Sequence, residues 1–195
     1  AYVEVLQRQS NRLKKLTEDL VEASKASTGN LKVELGPVDL GELLVQVTGE
    51  YEDRLRQAGI SPVVQSPEEP IIAMGDGRYL WRIIDNLLSN VRKYALPGTR
   101  VYIDASVLDG AAVISVKNIS RDRLNVSADE LMRRFVRGDA SRNTEGSGLG
   151  LSIAQSLAVL MHGRLSLTVD GDLFKAELSL PLAEQTRETA PEKTE

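Results

Sequence analysis

Apolar residues at the amino-terminal end follow the spacing of a helical seam. Residues 1–28 contain neither Gly nor Pro, and Gly29 is a suitable C-terminal stop. The seam positions alternate in steps of four and three, with one polar member: Tyr2, Leu6, Gln9, Leu13, Leu16, Leu20 and Ala23. This pattern predicts a long helix that ends near Thr28. The helix either contributes to a dimer interface or packs only on its own domain.

Three further stretches have helical periodicity, at about 40–58, 77–95 and 149–162. Asp39 and Asp76 precede the first two and are suitable N-caps. A shorter helix, Ser127–Arg134, carries the capping-box pair Ser127 and Glu130.

Alternating or short apolar runs predict the strands. They lie at Leu31–Leu35, Ile60–Gln65, Ile71–Met74, Arg100–Leu108, Ala111–Lys117, Arg164–Val169 and Leu173–Leu180. The turn Asp109-Gly110 joins one hairpin and Asp170-Gly171-Asp172 joins another. We therefore expect an α/β (α+β) two-layer sandwich, in which a mixed, mainly antiparallel sheet packs against three helices.

Composition narrows the class of protein without identifying it. The chain has 195 residues, 42% of them hydrophobic, which is ordinary for one globular domain with an appendage. The net charge of −4 argues against nucleic acid as a main partner. Because there is no cysteine, disulfides and thiol chemistry are excluded. No run approaches a membrane span, and no signal peptide is recognisable.

Glycines at alternate positions open the last predicted helix. The sequence Gly146-Ser147-Gly148-Leu149-Gly150-Leu151 is poorly suited to a regular helix or strand, but it lets the backbone turn or approach a ligand. Free N–H groups at a glycine-rich helix entry favour phosphate. A turn without any ligand is the alternative, because such motifs alone have many false positives.

The helix at 77–95 carries amides in its interior. Asn86, Asn90 and Lys93 share one face, and Tyr94 follows Asn90 by one turn. Interior asparagines are locally unfavourable, which makes them candidate functional residues. Amide oxygens can bind a hard cation and lysine can neutralise phosphate. A solvated polar face is the alternative.

Together, these stretches resemble the ATP-binding domain of sensor histidine kinases, in the superfamily of gyrase, mismatch-repair ATPases and a heat-shock chaperone. Asn86 to Tyr94 is similar to the family's asparagine box, with Val91 in place of the usual alanine. Gly146 to Leu151 is similar to its G-x-G-L-G-L box. Phe135 to Asp139 resembles the phenylalanine box and the start of the ATP lid. The resemblance covers about residues 31–182.

The resemblance implies which residues bind Mg²⁺-ATP, on the side of the helices away from the sheet. Asn90 would ligate Mg²⁺, Asn86 and Lys93 would lie near the phosphates, and Tyr94 would line the pocket. The backbone of Gly146, Ser147, Gly148, Leu149, Gly150 and Leu151 would meet phosphate. The polar stretch 138–145 is expected to be a mobile lid. Arg134, Arg137 and Arg142 are candidates to reach phosphate, with ordinary surface charge as the alternative for all three, and we expect Arg137 alone to do so.

One box departs from the family pattern. Where the family has D-x-G-x-G, this chain reads Val116-Lys117-Asn118-Ile119-Ser120, so Asn118 takes the place of the aspartate that accepts from the adenine amine. An amide oxygen can still accept that hydrogen bond, although it carries no charge. Because both glycines are missing, the sequence does not determine the local backbone conformation. We expect binding of ATP, with a weakened site as the alternative.

The implied activity is transfer of the γ-phosphoryl of ATP to a histidine outside this sequence and then to a response regulator. His162, the only histidine, precedes Gly163 at the end of a helix and is expected to be structural.

The implied partners are the phosphoacceptor helix of the parent kinase, a response regulator and a second copy through residues 1–30. We expect a cytoplasmic location, with the parent membrane-anchored, and a disordered tail at 183–195.

Two other functions remain as alternatives. A nucleotide-weak or nucleotide-dead module would use the domain only to dimerise or to bind a partner. A hydrolytic relative of gyrase would need a glutamate base beside the asparagine box, and the residue there is Asp85.

Overall fold

The computed structural model describes residues 2–29, 31–65, 67–124, 127–132 and 148–183. The helices are α1 (Tyr2–Ser27), α2 (Leu40–Gln57), α3 (Gly77–Tyr94), α4 (Ala128–Met132) and α5 (Gly150–Leu160). The strands are β1 (Gly36–Asp39), β2 (Ser61–Gln65), β3 (Ile72–Gly75), β4 (Arg100–Leu108), β5 (Ala111–Ile119), β6 (Arg164–Asp170) and β7 (Leu173–Pro181). The expected tail beyond residue 183 lies outside the described residues.

Five strands form a mixed sheet in the order β2-β4-β5-β7-β6. Only the pair β2 and β4 is parallel, and the other three pairs are antiparallel. Strands β1 and β3 form a separate antiparallel pair. The predicted two-layer sandwich with a mainly antiparallel sheet is confirmed.

One apolar core joins the sheet to α2, α3 and α5. Each of these helices buries one side, as its periodicity predicts, and alternate residues of the central strands face the same core. On β5 these residues are Ala112, Ile114 and Val116. The helix-facing surface of β5 is therefore filled by the apolar core.

One predicted strand was wrong. Leu31–Leu35 is irregular, and the strand that pairs with β3 is Gly36–Asp39 instead. The apolar alternation of residues 31–35 serves another purpose, because Leu31 and Val33 pack against the core without joining a sheet. Alternation records which side of a segment is buried, and it does not reveal whether the backbone has a strand partner.

Asp76 fixes both the start of α3 and the segment before β1. Its carboxylate accepts from Arg78 N at 3.1 Å and from Glu34 N at 3.0 Å, and the Arg78 guanidinium donates to both of its oxygens. The hydrogen bond from the Arg78 side chain lowers the pKa of Asp76 to about 2, although burial acts in the opposite direction. The N-cap role expected for Asp76 is confirmed, together with that of Asp39.

We expect Asp76→Asn to lower the unfolding free energy by about 1–2 kcal/mol at pH 7, less than the pKa shift alone implies because Arg78 is exposed. Because folding lowers the pKa of Asp76, the stabilisation that its carboxylate provides is fully present above pH 4 and is lost as pH falls through about 2. Chemical denaturation from pH 7 to pH 2 measures it. The exposed Asp53→Asn variant should stay close to wild type throughout. Curves for Asp76→Asn parallel to wild type down to pH 2 would contradict the assignment.

Candidate functional site

Asn86 of α3 meets the first turn of α5. The Asn86 Oδ1 atom lies 3.3 Å from the position that a Cβ on Gly150 would occupy. A side chain at residue 150 would therefore press against the amide, whereas glycine lets the start of α5 come close to it. The two sequence motifs, 64 positions apart, are brought together at this point.

The Asn86 amide is not fully satisfied by the protein. Its Nδ2 atom is buried, and among the described residues it has no hydrogen-bond partner. Leaving a buried donor unpaired costs about 1–3 kcal/mol, so such a group calls for an explanation. A ligand that accepts a hydrogen bond beside the first turn of α5 would remove that cost.

The glycine-rich turn has two distinct conformational requirements. Gly148 has φ of 70°, a left-handed conformation that favours glycine, whereas Gly150 is needed for the close approach to Asn86. Leu149 between them is buried and anchors the turn in the core, and Leu151 packs against the same core. The Leu149 carbonyl accepts from Ile153 N at 2.8 Å and so begins the helix. The N-terminal N–H groups of α5 therefore start beside Asn86.

The remaining α3 candidates follow Asn86 toward the end of the helix. Asn90, Lys93 and Tyr94 are all partly buried. The end of α3 is tied to the end of β5, because Leu96 N donates to Ile119 O at 2.8 Å and Arg121 N donates to Tyr94 O at 2.8 Å. These bonds fix the amide-bearing helix against the central strand of the sheet.

Asn118 lies within β5 rather than in a loop after it. It is paired with Val101 of β4 and Phe174 of β7, and β5 ends one residue later, at Ile119. By alternation Asn118 points to the same side as Ile114 and Val116, toward the helices, and it is only 5% exposed. The backbone is thus regular strand as far as Ile119. Ser120, at the first of the missing glycines, forms an isolated bridge with Ala95 and donates its N–H to Asp172 O at 2.7 Å. The amide occupies the helix-facing side of the sheet near the end of α3.

Three predicted site residues, Arg137, Gly146 and Ser147, lie outside the described residues. The same is true of Arg134 and Arg142. The capping box of the preceding helix is described and confirmed: Glu130 N donates to Ser127 Oγ at 3.2 Å and Ser127 N donates to Glu130 Oε2 at 2.9 Å.

His162 has a backbone role at the end of α5. It is exposed, has φ of 58°, and its N–H donates to Val159 O at 3.0 Å. The left-handed position after the helix is therefore His162, not the Gly163 expected from the sequence. Gly163 is needed for a different reason, because a Cβ there would lie 2.4 Å from the Ser179 carbonyl oxygen.

Sequence reasoning missed a charged network on α3 just before Asn86, at Arg82 and Asp85. The Tyr51 hydroxyl of α2 donates to the Asp85 carboxylate and, at 3.2 Å, to the Asp85 carbonyl. Burial and this hydrogen bond raise the pKa of Tyr51. Arg82 donates to Asp85 and also to α1. The hydroxyl of Tyr51 was the signal available in the sequence, since a buried tyrosine usually needs a hydrogen-bond partner.

The geometry suits an anionic ligand that bears hydrogen-bond acceptors. Backbone N–H groups at the start of α5 favour negative charge, and the Asn86 side chain beside them has an amide donor that no other described residue pairs with. Lys93 adds a positive charge two turns further along α3. A phosphate group fits this set of residues, and the oxygen of a partly buried asparagine such as Asn90 can ligate Mg²⁺.

Comparison with known proteins agrees with the geometry. Residues 75–184 match the family model described as histidine kinase-, DNA gyrase B-, and HSP90-like ATPase. The probable sensor protein PcoS of Escherichia coli is 32% identical over 171 residues, which are 86% of this chain and 36% of that protein. The signal transduction histidine-protein kinase BaeS of Escherichia coli K12 is 32% identical over 166 residues, 82% of this chain and 34% of that protein. The chain thus spans about a third of the length of these relatives.

Solved structures show the same fold. The Acinetobacter baumannii histidine kinase AdeS has a TM-score of 0.77 at 20% identity, covering 92% of this chain and 83% of that one. Full-length ShkA in complex with AMPPNP has a TM-score of 0.76 at 28% identity, covering 93% of this chain and 38% of that one. Because the family model covers more than half of the 195 residues and includes both Asn86 and Gly150, this chain belongs to the histidine kinase-, DNA gyrase B- and HSP90-like ATPase family.

Proposed function

We propose that this chain binds ATP with Mg²⁺ and is the catalytic part of a two-component sensor histidine kinase. The observation that carries the proposal is the buried Nδ2 of Asn86, which has no hydrogen-bond partner among the described residues and whose side chain lies against the glycine-opened start of α5. A phosphate oxygen at that point would accept from the amide and lie at the positive end of the helix. The sensor kinases to which the chain is similar, and ShkA with its bound AMPPNP, support the same conclusion.

Each site residue has an assigned role in this proposal. Asn90 ligates Mg²⁺, Asn86 and Lys93 contact the phosphates, and Tyr94 lines the pocket. Asn118 accepts from the adenine amine. Residues 146–151 supply backbone donors to phosphate, and Arg137 supplies a cation. Positioning and charge neutralisation of this kind account for most of the catalysis in phosphoryl transfer.

The reaction breaks the bond between the γ-phosphorus and its bridging oxygen and forms a phosphorus–nitrogen bond to a histidine, with ADP as the leaving group. His162 is poorly placed to be that histidine, since it follows the C-terminal end of α5 whereas the proposed phosphate site lies at its N-terminal end. The acceptor therefore belongs to another segment or chain.

The partners follow from that assignment. The phosphoacceptor helix of the parent kinase supplies the histidine, and a response regulator receives the phosphoryl group. A second copy docks through α1, whose side chains Tyr2, Leu6, Leu13 and Leu20 are exposed. Within the described residues, none of the helices combines the length and apolar character that a membrane span requires. We propose a cytoplasmic location for this segment, in a parent that is anchored in a membrane.

A titration with a non-hydrolysable ATP analogue, with and without Mg²⁺, tests the proposal. We expect micromolar, magnesium-dependent binding, measured by calorimetry. Asn118 suggests the alternative of a non-catalytic interaction module, because its neutral amide offers no charge to the adenine ring. Absence of binding at millimolar nucleotide would support that module and reject the kinase assignment.

Incubation with γ-labelled ATP tests the missing acceptor. We expect no stable acid-labile label on this chain, because the only histidine lies away from the proposed phosphate site. Mixing with a phosphoacceptor segment from a related kinase provides the positive control. Acid-labile label on the chain alone, lost in a His162→Gln variant, would contradict the assignment of His162.

A further inference from the structure

Near the carboxyl end of α1, one face of this helix lies on the catalytic domain. The face consists of Asp19, Glu22, Ala23 and Ala26, which recur at helical spacing. Ala23 and Ala26 are 3% and 5% exposed, and α1 packs against α5. The face presents two carboxylates and two small methyl groups to the rest of the molecule.

Arg82 of α3 receives both carboxylates. Its Nη2 atom lies 2.8 Å from Asp19 Oδ1 and 2.9 Å from Glu22 Oε2, and its Nε atom lies 3.1 Å from Glu22 Oε2. Its Nη1 atom lies 3.3 Å from Asp85 Oδ2 on the same helix. The four side chains are well shielded, with Arg82 at 22% exposure and Asp19 at 8%.

The ionic contact decides whether α1 stays docked, because the apolar contact is small. Of the large apolar residues elsewhere on the helix, Leu13 and Leu20 are exposed and Leu16 is only partly buried. Without the guanidinium, the carboxylates of Asp19 and Glu22 on α1 would face the carboxylate of Asp85 on α3, with no cation left among these three groups. Removing the charge of Arg82 would therefore remove the ionic attraction that this cluster provides between the two helices.

We propose that Arg82, Asp19, Glu22 and Asp85 form a latch that holds α1 on the catalytic domain and opens as a unit when α1 moves. Arg82 is one helical turn before Asn86 on the same side of α3, so the latch closes beside the candidate site. Tyr51 ties Asp85 to α2 and keeps the catalytic side of the latch rigid. The position of α1 relative to Asn86 is thus set by one ionic cluster. The latch needs no nucleotide, and only its relevance to phosphoryl transfer rests on the proposed function.

Amide hydrogen exchange on the nucleotide-free chain tests the latch. In Arg82→Met we expect the amides of residues 19–27 to exchange about tenfold faster than in wild type, while those of β5 and β7 are unchanged. Arg56→Met removes an exposed ion pair, Arg56 with Glu52 at 2.6 Å on α2, and should leave α1 exchange at the wild-type rate.

Two further variants separate a latch from general damage to α3. Asp19→Asn combined with Glu22→Gln changes α1 alone and should give the same acceleration. Arg82→Glu should accelerate exchange further, and adding Asp19→Lys and Glu22→Lys should restore at least part of the protection. Wild-type exchange in Arg82→Met and in the α1 double variant, or no rescue by the charge reversal, would overturn the proposal.

Discussion

Gly163→Ala should destabilise the protein by about 3 kcal/mol or more and lower its melting temperature by about 10 °C. A Cβ at this position would lie 2.4 Å from the Ser179 carbonyl oxygen, 2.9 Å from Leu180 Cδ2 and 3.3 Å from the Ala158 carbonyl oxygen. Two of these three atoms belong to the backbone of neighbouring elements, so relief requires that α5 and β7 move apart. Thermal and urea denaturation of the purified variant measure the loss.

A second glycine provides the matched control. Gly49 lies inside α2, and apart from its chain neighbours and the nearby backbone of its own helix, no atom of the described residues lies within 4 Å of the Cβ that alanine would add there. Gly49→Ala should raise the unfolding free energy by about 0.5–1 kcal/mol, because alanine restricts the unfolded chain and favours a helix. The two substitutions are chemically identical and should have opposite effects. A Gly163→Ala variant as stable as wild type would show that the end of α5 is not held closely against β7.

Asn86→Ala should abolish most nucleotide binding with little change in the stability of the nucleotide-free protein. The affinity for the magnesium complex of an ATP analogue should fall about 100-fold, or about 2.7 kcal/mol. Stability should change by less than about 1 kcal/mol, because the lost packing is offset by removal of a buried donor that has no partner among the described residues. Calorimetry and urea denaturation on the same preparation measure the two quantities.

The neighbouring Ser89→Ala substitution is the control for truncating a partly buried polar side chain on α3. It should leave both nucleotide affinity and stability close to wild type. If Asn86→Ala instead lost more than about 2 kcal/mol of stability while keeping its affinity, Asn86 would be a packing residue, and the proposed phosphate contact would be wrong.

The long elements were predictable because their signals are local. The periodicity of α2 and α3, the caps Asp39 and Asp76 and the turn at Asp109-Gly110 each depend on residues close in sequence. The segment 31–35 was mispredicted for the complementary reason. Its alternation reflects burial against the core, while a strand also requires a partner, which local sequence does not specify.

The candidate site was predictable in its residue types and not in its contacts. Asparagines inside a helix and glycines before another were visible as departures from local preference. How α3 packs on α5 decides that Asn86 rests against Gly150 and that its Nδ2 finds no partner in the described part of the chain. Asn118 likewise gained its orientation from its pairing with β4 and β7.

The sequence by itself determined the helices, most of the strands, the family resemblance and the amide and glycine motifs, because these depend on spacing along the chain. The tertiary structure alone decided the approach of Gly163 to Ser179, the ion cluster of Arg82 with Asp19 and Glu22, and the contact between Asn86 and Gly150. Each of these joins residues at least 16 positions apart. Their energies come from distance and burial, which exist only once the helices have packed on the sheet.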